Sequence, residues 1–382
     1  MKKSLVIVGA GKEGKGTLGD MFTEAGNYQI TFLDKNPDVI TSLMNNNKYT
    51  VEAYYSDRNE KREVSNYQSY LLDQDHACED VLVEADLVML ALYPEDIPEA
   101  VKFLRKALKM RISKNPEKLL SIVSCTNKNH IMPEIYQYFV EGLTELEKNW
   151  FDKNVALRDM IVRRSSNAKT TADLFLTTKV LETLLIQKPL NVDISDVKWI
   201  QLVDDLEDLK DIKLFTRNGP HATSAYAGYY KGYSTIGEAK NDPEIAQLMD
   251  TVLEETKKAV MAEYNNPEEK LDIFLGHLDL PSEEEPELIS RVGFDPLRKL
   301  YKGDRLTGVA QICEKHSLSY DGVARAIAFG VLYDDPEDES ATKMKRLLEK
   351  QGDEEGISQI LGLPATSPIT KKVVNLYQSL KK

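Results

Sequence analysis

The chain has 382 residues, 42% hydrophobic and 29% charged, which is enough apolar material for about two packed domains and carries no signature of global disorder. Its 49 basic and 62 acidic side chains give a net charge of −13. That balance argues against nucleic acid or an anionic membrane as the main partner, but a local cation cluster can still hold a small anion.

Cys78, Cys125 and Cys313 are too few and too scattered for a disulfide framework, and Cys125 sits in an apolar run that reads as buried. His76, His130, His221, His277 and His316 show no metal-binding spacing, so no metal site is expected. The basic start and Leu5–Val8 are cut off by Gly9, too early for a secretory signal. No run approaches the length of a membrane span. These features point to a soluble protein of the reducing cytoplasm, a monomer or small homo-oligomer.

Ser4–Val8 is a continuous apolar run ended by glycine, as expected of a strand covered on both faces. Thr17–Ala25 reads as a helix closed by Gly26-Asn27, and Gln29–Leu33 as a second strand. Asp86–Leu92 and Leu119–Ser124 read as later strands, with helical periodicity over Ile97–Lys109 between them. Such alternation predicts an α/β, Rossmann-type doubly wound parallel sheet. From about Asp205 helical patterns dominate, for example Ile245–Tyr264 and Tyr320–Leu332. The β-like Val197–Ile200 places the junction near residue 200, so the reading is a dinucleotide-binding domain over 1–200 and a mostly α-helical substrate domain over 201–382. The acidic stretches 282–286 and 334–339 read as solvated connections.

Gly9-Ala10-Gly11-Lys12-Glu13-Gly14 is a GxGxxG placed between a strand and a helix, with Gly16 and Gly19 following on the same helix. In that setting Gly9 permits the turn, Gly11 lets a pyrophosphate approach the backbone, and Gly14 lets helix and strand pack closely. Asp34 ends the second strand, where its carboxylate would take the adenosine ribose and repel a 2′-phosphate. NAD is therefore the expected cofactor. Glu13 stands where a small or apolar residue is more usual, which would alter the binding mode if it points into the cleft.

Lys213, Asn218 and His221 carry the groups that metal-free alcohol oxidation needs: a base, an alkoxide donor and a substrate-orienting imidazole. A lysine serves as base only as a neutral amine, which requires its pKa to fall from about 10.4. On a regular helix Asn218 and His221 stand about 60° apart, while Lys213 lies about 140° from Asn218 and about 80° from His221. Gly219-Pro220 predicts a bend or a fresh start there. Spacing alone leaves open solvated, capping or packing roles for these residues.

Lys213-x4-Asn218-x2-His221, with Ala222–Gly228 after it and the segment Arg291–Leu306, resembles the polyol-specific long-chain dehydrogenases and reductases, in particular their branch acting on hexitol phosphates. The resemblance covers most of the chain. It implies Lys213 as general base, Asn218 and Asn127 as oxyanion donors, and His221 as the group orienting substrate. Without the resemblance Asn127 reads equally as a cap or turn residue. It also implies that Arg298 and Lys299, with Arg291 and Arg305, receive a substrate phosphate, although Asp295 and Asp304 allow an ion-paired structural segment instead. The reaction implied is mannitol 1-phosphate to fructose 6-phosphate. An unphosphorylated polyol or hexuronate such as tagaturonate is the alternative substrate, and a catalytically silent NAD-binding sensor the alternative class. Two departures from the family pattern stand out: Met160 where an arginine is usual, with Arg163 and Arg164 as possible substitutes, and Lys12-Glu13 in the glycine-rich turn.

Overall fold

The computed structural model describes residues 2–73, 79–180, 182–275 and 286–381. His76, Cys78, His277 and the acidic stretch at 282–285 lie outside the described residues. The chain divides into two compact units, Met1–Glu207 and Asp208–Lys382.

The first unit carries strands β1 (Lys3–Val8), β2 (Tyr28–Asp34), β3 (Lys48–Tyr54), β4 (Asn59–Ser65), β5 (Gln68–Leu71), β6 (Leu87–Leu90), β7 (Leu120–Ser124), β8 (Val155–Ile161), β9 (Ser165–Asn167), β10 (Phe175–Lys179), β11 (Leu184–Gln187) and β12 (Ile200–Val203). Its main sheet runs β12-β11-β8-β7-β6-β1-β2-β5. From β5 to β8 every pairing is parallel, in the strand order of the doubly wound dinucleotide fold. Alternation along β1 shows why the strand is apolar throughout. Leu5 and Ile7 pack on one face with Phe32, and Val6 and Val8 on the other with Leu33 and Leu104. The chain reverses direction across the sheet at β1, and the carboxyl ends of β1, β2 and β6 open into the crevice where such folds take ligands.

Three features depart from the sequence expectation. β11 is antiparallel to β8 and pairs with β12, so the sheet extends past residue 200. Residues 197–199 form a turn and the strand starts at Ile200, which moves the division of the chain to Glu207. A second sheet, ordered β4-β3-β10-β9, packs against the helix after β1 and was not anticipated. The Tyr49 hydroxyl of β3 donates to the Lys15 carbonyl at 3.0 Å.

The second unit is built of helices around one core that includes Tyr226, Val252, Leu300, Val323 and Ile327. Ile245–Tyr264 is realised as the helix Pro243–Glu263, and Tyr320–Leu332 as Asp321–Val331. Asp242 caps the first of these by accepting from the Glu244 and Ile245 amides. The acidic stretch 334–339 is not wholly solvated. Asp338 is buried, caps the helix Glu339–Gln351, and accepts from the Asp295 amide at 2.8 Å.

Candidate active site

In the first unit, Gly9 follows β1 at φ +96°, and its amide donates to the Leu33 carbonyl at 2.7 Å. A Cβ at Gly14 would overlap the Gly9 carbonyl oxygen, so the close approach of helix and strand requires glycine there. At Gly11 a Cβ would meet nothing, which leaves open space beside the turn. Asp34 accepts from the Ala10 amide at 2.7 Å and from the Asn36 amide at 2.9 Å, locking the end of β2 to the turn. An open cleft of about 780 Å³, its mouth included, lies along Gly9, Gly11, Asp34, Lys35, Tyr93 and Phe103. The residues present therefore fit a dinucleotide: a turn with room at Gly11, a helix N-terminus, and an acid lining the cleft.

The helix begins at Lys12, earlier than expected, and is widened over Gly14–Gly19. Glu13 does not line the cleft. It accepts from the Thr17 hydroxyl at 2.9 Å, and burial raises its pKa above the ordinary 4.5, opposed by that bond and by the Arg164 charge. Lys15 is buried, donates to the Thr171 and Asp173 carbonyls at 2.7 and 2.8 Å, and is pulled down to about 8 by desolvation. Asn127 is exposed in the loop after β7; the following helix takes Ile131 as its cap, so Asn127 does not cap it. Cys125 is half-buried rather than buried. Met160 is in the core, Arg163 pairs with Glu182, and Arg164 is buried with a guanidinium nitrogen 3.9 Å from Asp20.

In the second unit the helix Leu206–Lys213 continues through a widened turn, Leu214–Asn218, into the helix Gly219–Lys231. The Gly219 amide reaches back five residues to the Leu214 carbonyl instead of four. Pro220 opens the next helix, so its missing N–H falls where the regular ladder is already interrupted. The extra residue also changes the angles. It removes about 100° from every separation that spans the turn, leaving Asn218 about 40° from Lys213 on one side and His221 about 20° on the other. All three share a stripe about 60° wide, and all three are half-buried. The regular-helix separations of 140° and 80° do not hold here.

The His221 Nε2 lies 2.9 Å from Glu287 Oε2. Burial lowers the His221 pKa, Glu287 opposes that shift, and the Lys240 and Lys299 charges lower it further. The neutral ring is thus favoured, with Nε2–H donating to Glu287 and Nδ1 left as an acceptor. Glu287 also stands 3.7 Å from Arg291, which is otherwise exposed. Nothing local in the sequence marks this glutamate as a partner of His221.

The cationic segment divides in two. Arg298 donates to Asp295 at 2.7 Å and Arg305 to Asp304 at 2.7 Å, so both guanidiniums already have carboxylates. Lys299 is 8% exposed and, among the described residues, its ammonium donates to the Val292 carbonyl alone, at 2.7 Å. Desolvation, then the Arg305 and Arg298 charges, bring it down to about 8. The buried Tyr226 hydroxyl has no hydrogen-bond partner among the described residues and feels the same four charged neighbours. A Cβ at Gly219 would stand 2.9 Å from the Arg305 carbonyl, so this segment lies against the start of the helix that carries His221.

The Rossmann-domain model of the mannitol dehydrogenase family matches residues 3–208, and its C-terminal-domain model matches residues 205–380. The chain belongs to the mannitol dehydrogenase family. It is thereby an oxidoreductase. Among relatives, the mannitol-1-phosphate 5-dehydrogenase of Thermoanaerobacter pseudethanolicus is 30% identical over 98% of this chain and 97% of its own. The enzyme of that name from Caldanaerobacter subterraneus is 28% identical, with the same coverage. Among solved structures, Pseudomonas fluorescens mannitol 2-dehydrogenase, in a ternary complex with NAD and D-mannitol, superposes with a TM-score of 0.69 at 16% identity, covering 100% of this chain and 91% of that one. A substrate-free D-sorbitol dehydrogenase gives 0.74 at 16% identity, covering 100% and 94%. At that identity the two structures establish the fold shared across the mannitol dehydrogenase family. Among the described residues no cluster could hold a metal ion, and no helix is long and apolar enough to cross a membrane.

Proposed function

We propose that this member of the mannitol dehydrogenase family is an NAD-dependent dehydrogenase that interconverts mannitol 1-phosphate and fructose 6-phosphate without a metal. Gly9, Ala10, Gly11 and Gly14 would hold the pyrophosphate, and Asp34 the adenosine ribose. When bound, NAD supplies the hydride acceptor. Lys213, as a neutral amine, takes the proton of the carbinol hydroxyl, and as an ammonium returns it in the reverse direction. The Asn218 amide donates to the developing alkoxide, with Asn127 as a second donor. His221 Nδ1 accepts from a neighbouring substrate hydroxyl. Lys299, backed by Arg298, Arg305 and Arg291, receives the phosphate.

The observation that supports this reading is the widened turn at Leu214–Asn218, which brings the Lys213, Asn218 and His221 positions onto one stripe of helix. The Lys213→Ala variant tests it: turnover at neutral pH falls by about 10²–10⁴. Near-normal turnover removes the assignment. The pairing of Arg298 and Arg305 with carboxylates favours a second reading, in which the substrate is an unphosphorylated polyol. Equal catalytic efficiency on mannitol and mannitol 1-phosphate would select it.

A further inference from the structure

The cleft beyond Asp34 holds a charge arrangement that the glycine-rich motif does not anticipate. Among the described residues Lys35 is the only cation lining it. Its ammonium donates to Asp96 Oδ1 at 2.8 Å and to Glu99 Oε2 at 3.0 Å. Asp96 is the residue before the helix Ile97–Lys114, where an aspartate ordinarily accepts from the helix's own amides. Here it makes no such bond, and its carboxylate goes to Lys35 instead. Both ion pairs are solvent-exposed, with Lys35 at 54%, and pairs of that kind add little to stability. What they fix is where the ammonium sits.

Resting on the reading that this cleft takes a dinucleotide, we infer that Asp96 and Glu99 determine which dinucleotide it takes. They hold and neutralise the one cation that follows directly on the ribose-binding Asp34, and so withhold it from a 2′-phosphate. Among the described lining residues Asp34, Asp96 and Glu99 face a single lysine, a net negative charge. A ribose hydroxyl tolerates that field, whereas a 2′-phosphate does not. Asp34 is then only part of the discrimination, and NAD preference is distributed between the end of β2 and the helix after β6.

Titration of the full chain with NAD⁺ and NADP⁺, followed by tryptophan fluorescence or calorimetry, tests this. In the D96N/E99Q double variant the ratio of NADP⁺ to NAD⁺ dissociation constants narrows by about tenfold or more, mainly through tighter NADP⁺ binding, because Lys35 becomes free for one charge-assisted phosphate contact. Adding K35M to that background reverses the gain. The fragments 2′,5′-ADP and 5′-AMP show the same pattern, which places the effect at the 2′ position. An unchanged ratio in the double variant with NAD⁺ binding intact overturns this inference and leaves the dinucleotide reading standing. Failure of the unaltered chain to bind either nucleotide overturns both.

Discussion

The deprotonation of Lys299 gives a prediction whose size follows from its surroundings. Burial and two neighbouring guanidiniums bring this ammonium down to about 8. Its charge is then about 0.9 present at pH 7 and about 0.1 at pH 9. A phosphate monoester, its second pKa lying near 6, is about 0.9 dianionic at pH 7 and wholly so at pH 9. If the phosphate needs the protonated lysine, affinity falls by about ninefold from pH 7 to pH 9, because the cation is lost as pH rises through its pKa. Calorimetric titration of mannitol 1-phosphate without dinucleotide isolates this from turnover and from the state of Lys213. Free mannitol, measured the same way, shows no such trend. Lys299→Met weakens binding of the phosphate ester at pH 7 and flattens its pH dependence. A pH-independent affinity in the unaltered chain, or the same decline for free mannitol, refutes the assignment of Lys299 to the phosphate.

Other substitutions separate the roles further. Gly14→Ala forces the helix off the Gly9 carbonyl and destabilises by about 1–3 kcal/mol, read as a lowered Tm. Gly11→Ala meets open space, so Tm holds while the dissociation constant for NAD⁺ rises, which calorimetry measures. Burial raises the folded-state pKa of Glu13, so its ionisation opposes folding as pH climbs above the ordinary 4.5. Glu13→Gln should therefore raise Tm at pH 8 and have little effect at pH 4, and an equal change at both refutes the sign. Glu287 opposes the downward shift of His221, so Glu287→Gln should move the acid limb of kcat/KM to lower pH. An unmoved limb would show that the His221 charge state does not govern the rate.

The sequence was most readable where structure is local. The run from Ser4 to Val8, the turn at Gly9, the helix behind it and the acid at Asp34 are neighbours in the chain, and each announces itself by composition. The second sheet was hidden because β3 finds its parallel partner β10 far along the chain. Its edge strand β4, Asn-Glu-Lys-Arg-Glu-Val-Ser, buries only Val64 and gives almost no apolar signal. The candidate catalytic residues were recognisable as a pattern, but their mutual placement was not. Leu214–Asn218 contains ordinary helix formers, and nothing in Leu-Phe-Thr-Arg-Asn declares a widened turn. Glu287, far from His221 in sequence, becomes its partner only through packing. The same holds for Asp96 and Lys35, which meet across the mouth of the cleft.

The lengthened hydrogen-bond ring before Gly219 uncouples distance along the chain from position around the axis. A homologue one residue shorter there, Lys-x3-Asn-x2-His on an unbroken α-helix, would present the same trio in the same directions, about 40° and 20° from its lysine. Motif searches keyed to a fixed count would pass over such a protein, although its three side chains would point the same way. Conversely, a chain that keeps the five-residue interval but closes every ring at four would turn its asparagine away from the amine. In this chain, the number of residues between Lys213 and Asn218 is informative only together with the ladder that connects them.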